Sequence, residues 1–174
     1  MEITPLQALV AKFASKSEIR QELACVRLDG KTALATDSFR MVEVTRIDDE
    51  APEADAPVLV NAKQLAQAKI TKEPGLLDGN SLMVGDTTIC PLLMVDAEKY
   101  PDVKRIWEQS ESRDYVEVRL NGKYLADIAT ALSKFNDFEK VILRVPTDGS
   151  FKPVAFRASG KGHSARAVLM PMTS

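Results

Sequence analysis

Val58-Leu59-Val60-Asn61-Ala62-Lys63-Gln64-Leu65-Ala66 returns sixty positions later as Val118-Arg119-Leu120-Asn121-Gly122-Lys123-Tyr124-Leu125-Ala126, with Val, Asn, Lys, Leu and Ala at equivalent places. Self-similarity at a fixed period marks a repeated structural unit. In both stretches an apolar run reads as a strand, and the Asn that follows can accept hydrogen bonds from the free amides of a starting helix. The N-terminus follows the same grammar more loosely, with Ile3 as a strand remnant, Thr4 as N-cap and Pro5 at the first helical position. Each unit is predicted to open as strand, cap and helix.

Short strands punctuated by turns follow each helix. The first unit reads as strands over 23–28, 32–36 and 40–45, broken by Asp29-Gly30 and Asp37-Ser38. The second has strands near Leu76-Leu77, over 82–84 and over 87–95, with turns at Asp78-Gly79 and Gly85-Asp86. The third runs 140–145, 153–158 and 165–170, with a turn through 146–150 and a flexible loop over 159–164. The pattern predicts an α+β fold of three β-α-β-β-β units. Residues 1–108 are expected to form a full domain from units 1–50 and 57–108, and residues 115–174 a half-domain. Solvated joins are expected at 48–56, rich in acid, Pro and Ala, and at 108–114.

A chain of 174 residues can bury a core without disulfides or metals. Cys25 and Cys90 sit in apolar strand-like runs, where thiols pack as small hydrophobes. The single histidine, His163, lies in Gly-Lys-Gly-His-Ser with no nucleophile or acid tied to it by motif. Gly160-Lys161 lacks the surroundings of a phosphate-binding loop, and no cluster has metal-ligand spacing. No enzyme, cofactor or metal is expected. The start of the chain lacks a basic and apolar leader, and no apolar run approaches ~18 residues, so a cytoplasmic protein without a membrane span is expected.

A net charge of -2 argues against nucleic acid, but the distribution argues otherwise. The expected helices, 5–16, 61–72 and 122–135, hold Lys12, Lys16, Lys63, Lys69, Lys72, Lys123 and Lys134 against one acid, Asp127. Together they carry +6 and the rest of the chain -8. Ordinary exposed helices mix both signs to gain pairs four residues apart. Helices this poor in acids can offer phosphates a basic surface. The first helix shows an apolar stripe of Leu6, Leu9, Val10 and Phe13, and the third one of Leu125, Ile128, Ala129 and Leu132.

Ala35-Thr36-Asp37-Ser38-Phe39-Arg40-Met41 resembles the Ala-Thr-Asp-Gly-His-Arg-Leu string of the bacterial DNA polymerase III beta sliding clamps. Val168-Leu169-Met170-Pro171-Met172 is similar to that family's C-terminal Val-Val-Met-Pro-Met, and Tyr100-Pro101-Asp102-Val103 to its Phe-Pro-Asp-Tyr. The resemblance implies a clamp fold with helices inside and antiparallel sheets outside. It also implies a hydrophobic pocket for clamp-binding peptides of DNA polymerase and other partners, involving Thr36, Phe39, Arg40, Met41, Val168, Met170, Pro171 and Met172. Methionines suit such a role because they adapt to varied side chains. Two departures stand out: Ser38-Phe39 replaces Gly-His, and the chain ends Thr173-Ser174 where the family ends Arg-Leu.

The family has six units per chain and closes as a dimer, whereas three are found here. Duplex DNA is about 20 Å across. Twelve helices spaced ~10 Å apart leave a hole of roughly 28 Å, nine about 19 Å and six about 9 Å. Twelve helices require four chains, so the expectation is a homotetrameric ring on duplex DNA, the seven lysines of the helices centring it, with a clamp loader as a further partner. A clamp-like adaptor that never closes is the alternative, and an enzyme on an unrelated α+β fold has no residue in its favour.

Overall fold

Thr4 and Gln7 set the orientation of the first helix. The Thr4 hydroxyl accepts from the Gln7 amide at 3.2 Å, and the Gln7 side-chain oxygen accepts from the Thr4 amide at 2.9 Å, a reciprocal capping box. The Gln7 Nε2 also donates to the Lys31 carbonyl at 2.9 Å, and the side chain is only 1% exposed. This anchoring turns Gln7 and Val10 inward and leaves Leu6 and Leu9 66% and 48% exposed, so the expected stripe of Leu6, Leu9, Val10 and Phe13 does not face the core as a set. Helix α1 (Pro5–Ala8) passes into a 3-10 helix (Leu9–Phe13), and Lys16 lies beyond both.

The structure is a computed structural model describing residues 1–17, 19–47, 56–89, 94–95, 97–111, 116–134, 139–147, 152–160 and 163–172. The chain divides into two compact units, Met1–Asp102 and Val103–Ser174. In the first, β1 (Glu2–Ile3), α1, β2 (Cys25–Leu28), β3 (Thr32–Thr36) and β4 (Met41–Thr45) form one repeat. A second repeat follows with β5 (Val58–Asn61), α2 (Ala62–Gln67), β6 (Gly75–Asp78), β7 (Ser81–Val84), β8 (Thr87–Ile89) and β9 (Met94–Val95).

The two repeats exchange their leading strands. Strand β1 pairs antiparallel with β6, Ile3 opposite Gly75, giving the sheet β1-β6-β7-β8. Strand β5 pairs antiparallel with β2, from Val58 opposite Leu28 to Asn61 opposite Cys25, giving β4-β3-β2-β5-β9. A single core results, in which Ile3, Val10, Val26, Val60 and Leu82 are 0% and Leu65 1% exposed. Both sheets and both helical segments contribute to it.

The second unit holds α3 (Val103–Glu111), α4 (Gly122–Ser133), β10 (Ile142–Arg144), β11 (Val154–Gly160) and β12 (His163–Leu169). Its sheet runs β10-β11-β12, with Leu132, Val154, Phe156 and Leu169 forming a smaller core. Residues 118–120, expected as a strand, are in none, because among the described residues no neighbouring strand of the unit offers them a ladder.

Other expectations change too. Helix α2 ends at Gln67 rather than 72 because Lys69 adopts φ 52°, a left-handed conformation that stops a helix, so Lys69 and Lys72 lie outside it. Residues 108–111, expected in a join, continue α3, a run of helix formers after Pro101-Asp102. Within the expected loop 159–164, Ser159 and Gly160 end β11 and His163 and Ser164 begin β12, paired Ser159 to Ser164 and Gly160 to His163. Cys90, the join at 48–55 and residues 112–114 lie outside the described residues. Among the described residues, no helix is long and apolar enough to cross a membrane.

Gln7→Leu leaves the Thr4 amide without its acceptor and removes a donor from the Lys31 carbonyl. We expect it to lower the stability of the first unit by about 2 kcal/mol in urea unfolding, whereas Leu9→Ser stays within about 0.5 kcal/mol. Equal effects would contradict the anchoring role of Gln7.

Candidate peptide-docking strips and basic surface

Between β3 and β4 the chain turns through Asp37 to Arg40, and all four amides of the turn find acceptors within residues 36–40. The Thr36 hydroxyl, on a residue 7% exposed, donates to the Arg40 carbonyl at 2.9 Å and accepts from the Ser38 amide at 3.2 Å. Asp37 Oδ1 accepts from the amides of Phe39 and Arg40, both at 3.0 Å, and Oδ2 pairs with Arg40 Nε at 2.9 Å. Burial acts to raise the Asp37 carboxyl, but the bonds from the Arg40 side chain and the two amides outweigh it and hold it below its ordinary value. The Asp37 contribution to the turn is therefore present at neutral pH and is lost as pH falls through that lowered value. The Arg40 guanidinium lies 5.0 Å from the Phe13 ring centroid and donates to the Lys12 carbonyl at 3.4 Å. Phe39 is held 96% exposed and Met41 half-buried.

Ser38 takes φ 77°, which glycine adopts without strain and other residues do not. This accounts physically for the glycine of the resembling string at the same place.

In the second unit the end of β12 alternates. Leu169 points into the core at 7% exposure, while Val168, Met170 and Met172 point outward at 63%, 59% and 49%. Pro171 is half-buried, and the Met172 amide donates to the Arg119 carbonyl at 2.8 Å, pinning the tail. Three apolar side chains at alternate positions thus form an exposed strip on a fixed backbone. Thr36, Phe39, Arg40 and Met41 belong to the first unit, and Val168, Met170, Pro171 and Met172 to the second.

All seven predicted DNA-facing lysines are exposed. Lys12 lies in the 3-10 helix, Lys63 in the first turn of α2 and Lys123 in the first turn of α4. Lys134 is the C-cap of α4, and Lys16, Lys69 and Lys72 are in the segments after the helices. Asn61 and Asn121 cap as expected, each accepting two amides, from Lys63 and Gln64 at 3.1 and 3.2 Å and from Lys123 and Tyr124 at 3.0 and 3.2 Å. The Tyr100 hydroxyl donates to the Leu34 carbonyl at 3.4 Å, and burial pushes its phenol up to about 12. That contact ties residue 100 to β3. Cys25 is buried and free, its thiol raised by burial, which keeps it unreactive.

No family model matches the sequence, and no curated protein matches it. Solved structures do. DNA polymerase III subunit beta from Borrelia burgdorferi, in complex with a natural product, superposes over 98% of this chain with TM-score 0.70 and 15% identity. The fold is that of a DNA sliding clamp. The C. crescentus beta sliding clamp matches 98% of the chain at TM-score 0.69 and 17% identity, and the Helicobacter pylori beta clamp bound to a DNA ligase peptide matches 100% at 0.52 and 12%. These alignments cover 48%, 50% and 53% of the respective clamps, so the chain spans about half the length of the clamps it matches.

Ser38→Gly relieves the left-handed backbone without disturbing the Thr36 and Asp37 bonds. We expect a gain of about 1 kcal/mol, read as a rise of several degrees in thermal midpoint; an unchanged or lower midpoint would show that the serine carries no strain.

Proposed function

We propose that this chain is a DNA sliding clamp subunit, a non-enzymatic cytoplasmic processivity factor. It closes as a homotetrameric ring around duplex DNA and tethers DNA polymerase and other proteins through clamp-binding peptides. The observation that carries the reading is the sliding-clamp fold across 98–100% of the chain. Four chains of three units supply the twelve helices a ring wider than duplex DNA needs. Residues 1–108 act as the full clamp domain and residues 115–174 as the half-domain. A closed ring stays on DNA because leaving requires opening, so no reaction is needed. Lys12, Lys16, Lys63, Lys69, Lys72, Lys123 and Lys134 centre the duplex through weak phosphate contacts that permit sliding.

The strip of Val168, Met170, Pro171 and Met172 in the second unit and the turn residues Thr36, Phe39, Arg40 and Met41 in the first each receive apolar side chains of partner peptides. Support comes from the exposure of those methionines on a pinned tail and from the hydrogen-bonded turn that presents Phe39. The half-length of the chain favours a second reading, a clamp-like adaptor that binds such peptides without closing.

Incubation with nicked circular and with linear duplex, followed by a high-salt wash, separates the two. Topological linkage predicts retention on circles alone, with release on linearisation, because salt removes phosphate contacts but not a closed ring. A chain that binds a DNA ligase peptide yet washes equally from both DNAs, with a loader supplied, is an adaptor and not a clamp.

A further inference from the structure

We propose that the second unit is half of a domain that two copies of this chain complete together, each lending residues 116–120 as a strand to the open edge of the other's β10. The first unit supplies the template. There β5 has β9, the tail of its own repeat, on one edge, with Leu59 opposite Val95, and β2 of the other repeat on its second edge. In the second unit the tail contact is present at the position sixty residues after Leu59, where the Arg119 carbonyl accepts from Met172. Successive residues of an extended chain direct their amides and carbonyls to opposite sides, so with Arg119 turned to the tail, Val118 and Leu120 in a strand would offer theirs to the edge that β2 fills in the first unit. Among the described residues, no strand of the second unit pairs there.

Among the described residues, no strand pairs with the receiving edge either. Strand β10 is the first strand after its helix, as β2 and β6 are after theirs, and its sheet ends on it. Val26 and Leu28 on β2 are 0% and 1% exposed, whereas Ile142 and Leu143 on β10 are 58% and 52% exposed. The helix repeats the contrast: Leu65 and Ala68 are 1% and 5% exposed, but Leu125 and Ile128, sixty positions on, are only half-buried. In the first unit a second helical segment covers Leu65 in the shared core.

A second copy is the occupant because this chain carries both the lacking strand and the lacking edge, which makes the contact self-complementary about a two-fold axis. An exposed apolar edge strand otherwise invites indiscriminate pairing. Two copies joined this way hold six units. The inference deepens the ring reading by giving one of its junctions, and its test stands apart from DNA.

Light scattering at tens of micromolar should give about 38 or about 76 kDa, two or four times the 19.1 kDa chain. Leu143→Glu puts a charge where the single copy is half open to water, and Leu120→Pro removes an outward amide. Each should halve that mass with unchanged far-UV circular dichroism; if the proline variant unfolds, Leu143→Glu decides alone. A monomeric wild type, or an undiminished mass in folded Leu143→Glu, overturns the exchange. A wild-type oligomer that slips off circular DNA removes the ring and leaves the exchange. Retention on circles by Leu143→Glu at full mass does the reverse.

Discussion

A β-α-β-β-β unit cannot close its own sheet. Its leading strand is parted from the strands that follow by a helix, and that helix has only one face covered by the sheet beneath it. The first unit meets both needs at once, with β1 crossing to β6 and β5 to β2, so two helical segments enter one core. Ile3 and Val60, on the exchanged strands, are both 0% exposed. Full burial of such side chains stabilises by about 1.5–3 kcal/mol each. The pairing of repeats is thus the condition for the core, and among the described residues the second unit leaves Leu125 and Ile128 of α4 half-buried and β10 at the end of its sheet.

Local hydrogen bonds hold the two proposed docking strips. The tail at Met170 to Met172 is held by the carbonyl of Arg119, on the leading segment, so its outward methionines sit on a fixed backbone. The turn of Asp37 to Arg40 is likewise set beforehand by hydrogen bonds of Thr36 and Asp37 and by the Arg40 contact with Phe13. Surfaces ordered in advance lose less entropy on binding a peptide. Methionine on such a surface supplies tolerance of different partners.

The repeat was legible because its caps are chemical, not statistical: Asn61 and Asn121 each accept two free amides, as their place before a helix requires. The turns at Asp29-Gly30 and Gly85-Asp86 showed in the same way, both glycines taking positive φ. The inward face of α1 was not legible, since Leu6 and Leu9 have the spacing of a buried stripe and only the tertiary bond from Gln7 to Lys31 decides against them. The end of α2 was hidden because Lys69 is an unusual residue for a left-handed stop. The segment 140–145 was legible as a strand, but nothing in it reveals that Ile142 and Leu143 are 58% and 52% exposed. The two strings that resemble those of the clamp family were visible, but the constraint on Ser38 needed the backbone angle.

The central claim concerns the backbone of residues 116–120, and the amide exchange of Val118 and Leu120 tests it most directly. If another copy's β10 receives these amides, their hydrogen exchange slows as protein concentration rises through assembly and speeds on dilution, while the core amide of Phe156 stays protected throughout. Rapid exchange at Val118 and Leu120 at every concentration, beside a protected Phe156, would contradict it.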